Sequence, residues 1–327
     1  GAGTDYALLL ISRYREELRH QESKTESMRI SLRSAGPAIL ASGGTVIAAL
    51  LCLSLAELNS TASLGPIGAI GIASAMFAML TLLPAMLVIA PRWVFWPKVP
   101  KVGTGGADAE HGPWRRLGDR TARSPRRVWV GTLVVLVVMA GGLALYDDGL
   151  TSSGGFRDKV EAVEGEQLIS KSFPGGANAP TEIIVPDPAD AAAVSAAVRE
   201  VDGVAAVRPV GEGEPGVLLD VILEPEPYST EAFALIPPVR DAAKEAGGPE
   251  TLVGGGSAVE YDIREANKQD VKLIVPLVIL VVFLILVVLL RSLAAPLILI
   301  GTVVISFLAA LGVGVAISEW VFDFPGS

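Results

Sequence analysis

LIVPLVILVVFLILVVLL, Leu273 to Leu290, runs for eighteen residues without an Asp, Glu, Lys or Arg. As a helix rising 1.5 Å per residue it reaches about 27 Å, close to the ~30 Å hydrocarbon core of a bilayer. Its apolar residues fill every face rather than one stripe, so it belongs in lipid and not on the surface of a soluble domain. Working outward, Ala38 to Ala56, Thr61 to Ala90, Val128 to Leu145 and Ser292 to Ser318 are equally free of charge. The composition agrees, with a hydrophobic fraction of 51% and a mean hydropathy of +0.51. The chain reads as a polytopic α-helical membrane protein with five complete spans, at 38–58, 61–90, 128–145, 271–290 and 292–318.

Lys and Arg orient these spans. Residues 13–37 carry Arg13, Arg15, Arg19, Lys24, Arg29 and Arg33, and residues 91–127 carry nine cations against Asp108, Glu110 and Asp119. By the positive-inside rule both are cytoplasmic loops, and the second also fits an anionic-lipid patch. Residues 146–270 have the opposite character, with 24 acids against 9 bases, a net −15, and are expected outside. Residues 1–12 are too short to cross and read as the C-terminal half of a helix. Residues 319–327 read as a truncated extracytoplasmic end.

The outside segment is patterned as an α/β domain. TEIIV (181–185) is a short strand, 189–201 a helix with Val194, Ala197, Val198 and Val201 on one face, and GVAAVRPV and GVLLDVIL two strands around the turn-rich GEGEPG. A second helix starts at Ser229 or Thr230 and stops at Gly247, with Pro237 and Pro238 expected to kink or interrupt it. ETLVGGG closes with a strand. The order βαββαβ is that of a ferredoxin-like sandwich, a topology that fits many activities.

Nothing here points to an enzyme. Cys52 is alone inside a span, His20 and His111 stand in polar loops without partners at useful spacing, and GGGS (254–257) lacks the Lys of a phosphate loop. Asp5 is the residue that asks for a use: it lies in GAGTDYALLLIS (1–12), otherwise apolar from Ala7 to Ile11. An acid within a membrane span is expensive and marks a functional site. Capping a helix at the membrane surface is the plainer alternative, with Thr4 before it. Ser12, seven residues on, shares its helix face. Gly65, Gly68 and Gly71, the pair Ala69 and Ala73, and the pair Ala310 and Gly314 are spaced for close helix packing, and Pro66, Pro84 and Pro276 are candidate kinks.

GAGTDYALLLISRYREEL at the start, the acidic domain ending GGGSAVEYD, and LLRSLAAPL after the following span together resemble the MMPL branch of the resistance–nodulation–division superfamily across essentially the whole chain. The resemblance implies a proton-driven exporter with twelve spans in two parallel halves, each with an extracytoplasmic porter domain. This chain would then be spans four to nine with the second porter domain, a fragment expected to be inactive alone. It further implies that Asp5 and Tyr6 form a proton relay facing the bundle centre, with Gly1 and Gly3 packing beside them and Ser12 extending the proton path.

The implied cargo is lipids, glycolipids or hydrophobic drugs. The coupling ion is the proton, and no cofactor or metal is expected. Expected partners are membrane lipids, an amphiphilic substrate and the missing halves of the same transporter, with a homo-oligomer left open and no nucleic acid. The implied location is the bacterial cytoplasmic (inner) membrane. The competing class is a non-transporting sensor or scaffold that displays the acidic domain. A plain anchor would not need Asp5.

Overall fold

The computed structural model describes residues 1–97, 99–100, 102–103, 113–145, 161, 164–165 and 173–322. His111, nearly all of 146–172 and the end at 323–327 lie outside the described residues. The chain forms two compact units, Gly1–Val137 with Gln269–Ser306 and Val138–Lys268 with Phe307–Ser327.

In the first unit α1 (Ala2–Glu17), α2 (Lys24–Cys52), α3 (Asn59–Leu80) and α4 (Leu82–Ile89) pack together, and α5 (Pro113–Arg123) and α6 (Pro125–Ala140) follow. Five helical stretches are long and apolar enough to cross a membrane: Lys24–Leu55, Asn59–Ile89, Pro125–Leu145, Gly256–Leu290 and Ala294–Trp320. They cover the five apolar runs to within two residues at an end. Side chains such as Ile67, Phe77 and Val288 stand exposed on them. Apolar surface of that kind is unfavourable in water and ordinary in lipid.

Residues 13–37, expected as a loop, are helical except at 18–23. α1 continues to Glu17 and α2 begins at Lys24, where the Ser23 hydroxyl oxygen accepts the Glu26 N–H at 3.3 Å. Ser27, Met28, Ser31 and Ala35 are buried at helical spacing, a stripe that the interleaved charges hide. The apolar stretch 61–90 breaks at Thr81, three residues before Pro84, whose ring crowds the carbonyl of Leu80. α3 continues through Pro66. The basic stretch 91–127 is also partly helical, as α5.

The second unit holds β1 (Thr181–Val185), α7 (Ala191–Arg199), β2 (Val204–Gly213), β3 (Gly216–Leu223), α8 (Thr230–Gly247) and β4 (Leu252–Gly254). The sheet order is β2-β3-β1-β4, every pair antiparallel, with Ile183 opposite both Leu219 and Val253. One core joins the sheet to both helices: Ile183, Val185, Leu219 and Val221 from the strands, Val194 and Val198 from α7, and Ile236, Val239 and Ala243 from α8.

Three expectations are corrected. β2 extends to Gly213, because the hairpin pairs Glu212 with Val217 and turns only at residues 214–215. α8 is unbroken through Pro237 and Pro238; its buried face of Phe233, Ile236 and Val239 holds it while Ala234 and Pro238 lie exposed. The sheet ends at Gly254, and residues 256–270 already belong to α9 (Gly256–Leu290), which runs unbroken through Pro276. The charges of Glu260 to Asp270 conceal that continuity in a hydropathy reading. α10 (Ala294–Trp320) follows.

Candidate functional site

α1 builds the site from one buried and one open stripe. Tyr6, Leu10, Tyr14 and Leu18 are buried at intervals of four residues and pack with Met28, Ala35 and Ile39 of α2 and Leu87 of α4. The Tyr14 hydroxyl donates to the Leu87 carbonyl at 3.4 Å, and its ring meets Phe95 edge-on. At the far end Arg13 pairs with Glu16 at 2.6 Å and Glu17 at 2.7 Å.

Asp5 lies on the other stripe. With Leu8, Leu9 and Ser12 it forms an exposed i, i+3, i+4, i+7 face, and its carboxylate has no hydrogen bond or ion pair among the described residues. It caps nothing: α1 starts at Ala2 after Gly1, with no side-chain cap. Tyr6 points the other way. Its hydroxyl is buried with no partner among the described residues, close to Gly43 of α2. Asp5 and Tyr6 are thus neighbours in sequence on different faces. The Ser12 hydroxyl donates to the Leu9 carbonyl at 2.9 Å, so its proton is held by its own helix.

The packing glycines separate sharply. A Cβ at Gly65 would lie 2.6 Å from the Leu50 carbonyl oxygen of α2, and one at Gly68 would be 3.1 Å from a Leu50 methyl. At Gly3 it would touch Ala75 at an ordinary 3.7 Å, and at Gly1, Gly71 and Gly314 it would meet nothing. Ala310 is exposed as well, whereas Ala309 is buried. The close approach on α10 is made by Gly312, one turn-face away, whose added Cβ would strike the Met139 carbonyl of α6; Gly142 strikes Gly312 in return. Gly43 is the other position that the sequence reading missed, since a Cβ there would sit 2.6 Å from Met76 Sδ. The glycine pairs 43–44 and 141–142 were visible as signals, but not the partners they approach.

The second unit carries a groove of about 480 Å³ between α8 and α9, lined by Thr230, Phe233, Pro237, Tyr261, Arg264 and Lys268 among others. The Arg264 guanidinium stacks on Phe233 at 4.5 Å. Its ion pair with Glu260 is long, 3.7 Å, as is that of Lys268 with Glu265, 3.9 Å. Arg240 clamps the two helices by a two-pronged bond to Asp262, both arms 2.7 Å, and that bond raises the Arg240 pKa further above its ordinary value. No cluster of three metal-ligating side chains occurs among the described residues.

A sequence profile of the MMPL family matches residues 1–128 and 160–326. The putative membrane protein ActII-3 of Streptomyces coelicolor is 44% identical over the whole of this chain, which covers 46% of that protein. The apo-petrobactin exporter of Bacillus anthracis is 32% identical over 96% of this chain, again 46% of its own length. The probable transport protein MmpL12 of Mycobacterium tuberculosis is 35% identical over 58% of the chain and 16% of that protein. The chain spans about half the length of the curated relatives it matches most fully.

Proposed function

Since the chain belongs to the MMPL family, a branch of the resistance–nodulation–division superfamily, and is a multi-pass bacterial membrane protein, we propose that it is part of a proton-driven exporter of hydrophobic or amphiphilic molecules. The observation that carries the reading is Asp5: an unpaired carboxylate on an apolar, exposed stripe of α1 flanked by Leu8 and Leu9. A bilayer would not tolerate that acid as an idle group. In the proposed twelve-span assembly the stripe faces the bundle centre, where Asp5 takes and releases a proton. Tyr6, one residue on, supplies a phenol that no neighbour occupies.

Burial favours the neutral acid and hydration the anion, so the charge on such a group follows conformation. The driving force is about 2.3 kcal/mol per charge per 100 mV, enough to bias two states a few kcal/mol apart. The basic stretches 13–37 and 91–127 are placed in the cytoplasm and 146–270 outside. The second unit is read as a ferredoxin-like porter domain, in keeping with its strand order, and its groove with Arg264 and Lys268 as a surface that cargo meets. Supporting the exporter class, one relative is named as an exporter and another as a probable transport protein.

The test uses the full gene product containing this chain, with export and membrane abundance measured together. Asp5→Asn keeps size and hydrogen bonding but exchanges no proton, so export should vanish at normal abundance. Asp5→Glu should retain part of the activity, because the titratable group survives but is displaced. An Asp5→Asn protein that exports normally would end the proposal.

A further inference from the structure

We infer that Asp270 is a proton-sensitive latch that holds α9 to the turn between α2 and α3. Asp270 is the last acid of α9 before the apolar run from Leu273, and its side chain is 5% exposed. Oδ1 accepts the backbone N–H of Glu57 at 2.8 Å, a tie across 213 residues of sequence within the first unit. Oδ2 is buried and has no partner among the described residues. A buried carboxylate with one oxygen bonded and the other bare needs an explanation.

The turn it grips is Ala56–Leu58, after the short helical turn Leu53–Leu55 and before α3. That turn and the helices beyond it are otherwise uncharged: from Leu53 to Ile89 the only ionisable acid or base is Glu57, whose own side chain is exposed. On α9 the flanking groups are Glu265, Lys268 and Lys272, with Lys268 directed to Glu265. Among the described residues the Glu57 N–H is thus the one bonded partner of the Asp270 carboxylate.

The chemistry of the latch is one proton transfer. As the anion, Asp270 is a charged acceptor, and such bonds are about twice as strong as neutral ones. Adding a proton, at the bare Oδ2, leaves Oδ1 a neutral acceptor and weakens its hold on the turn. No covalent bond to cargo is made or broken. Asp270 is a positioning residue, distinct from Asp5, and the inference borrows from the proposed function only that this turn faces outward.

The experiment takes the full gene product with every native cysteine, Cys52 included, replaced by Ser and with Ala56→Cys as the single probe beside the latched amide. A membrane-impermeant maleimide is applied to intact cells between about pH 4 and pH 8, a range whose acid end reaches the ordinary carboxylate value. Asp270, Asp270→Asn and Asp270→Ala are compared at each pH, so the thiol's own pH dependence cancels. Asn can still accept through its oxygen but does not titrate, so it stands for the neutral-acceptor state at every pH. Asp270 should be labelled about fivefold more slowly than Asn at the alkaline end, equivalent to about 1 kcal/mol at 1.4 kcal/mol per decade, and converge on Asn at the acid end. Asp270→Ala, with no acceptor, should be at least as fast as Asn at both.

A constant ratio of Asp270 to Asn across the pH range overturns the proton sensitivity, and an Ala variant as slow as Asp270 at the alkaline end overturns the latch itself. Glu212→Cys, at an exposed position of β2 in the second unit, serves as the topology control. If it is labelled only after lysis, the outward placement has failed and not the latch.

Discussion

Gly65→Ala is expected to destabilise the first unit, and Gly71→Ala, the same chemical change on the same helix, is not. The methyl group at 65 would lie 2.6 Å from the Leu50 carbonyl oxygen, about 0.7 Å inside the ~3.3 Å of a close C–H···O contact. That oxygen cannot swing aside, because it accepts the Leu53 N–H at the end of α2, and the added methyl would also stand 3.0 Å from the Ser54 hydroxyl. Overpacking against backbone costs about 1–3 kcal/mol. Both variants gain the same helix propensity, about 1 kcal/mol for Ala over Gly, so the gap between them is the steric cost alone. At about 2–4 °C per kcal/mol for a unit of this size, the gap in Tm is roughly 2–12 °C. Thermal unfolding of the purified variants in detergent measures it. Equal Tm values for the two would refute the packing of α3 on α2.

Tyr6→Phe should leave thermal stability unchanged or raise it by up to about 1–3 kcal/mol, because the hydroxyl it removes is buried without a partner, while export falls; a clear loss of stability would reveal a partner for that hydroxyl. Ile236→Ala empties a fully buried position in the core of the second unit and should cost about 2–5 kcal/mol, read as faster proteolysis of that unit in membranes. Glu212→Cys should react with an impermeant maleimide in intact cells, and protection until lysis would reverse the membrane topology.

The apolar runs made the five spans legible, since hydrophobicity on every face has one structural outlet. The short apolar runs TEIIV and GVLLDVIL between turn signals, with Ser229 and Gly247 bracketing α8, made the βαββαβ order legible as well. Charge obscured the rest. Lys24 to Pro37 and Glu260 to Asp270 are helical, but a hydropathy reading ends a span at its first charged residue, while helical hydrogen bonding does not. The prolines of α8 misled because tertiary burial outweighs the loss of two backbone bonds on an exposed face. Asp5 could be singled out from its apolar surroundings alone. Asp270 could not, because only the fold brings it to Glu57, and Gly312 could not be told from Gly314 without the carbonyl of Met139 opposite it.

The central claim is that Asp5 carries the proton that drives export. Its most direct test is proton flux: the full gene product is reconstituted into vesicles under an imposed pH gradient, and the luminal pH is followed as substrate is added. Wild-type protein should show substrate-dependent proton movement, and Asp5→Asn protein, equally folded and equally abundant, should show none. Undiminished flux through the Asp5→Asn variant would contradict the account.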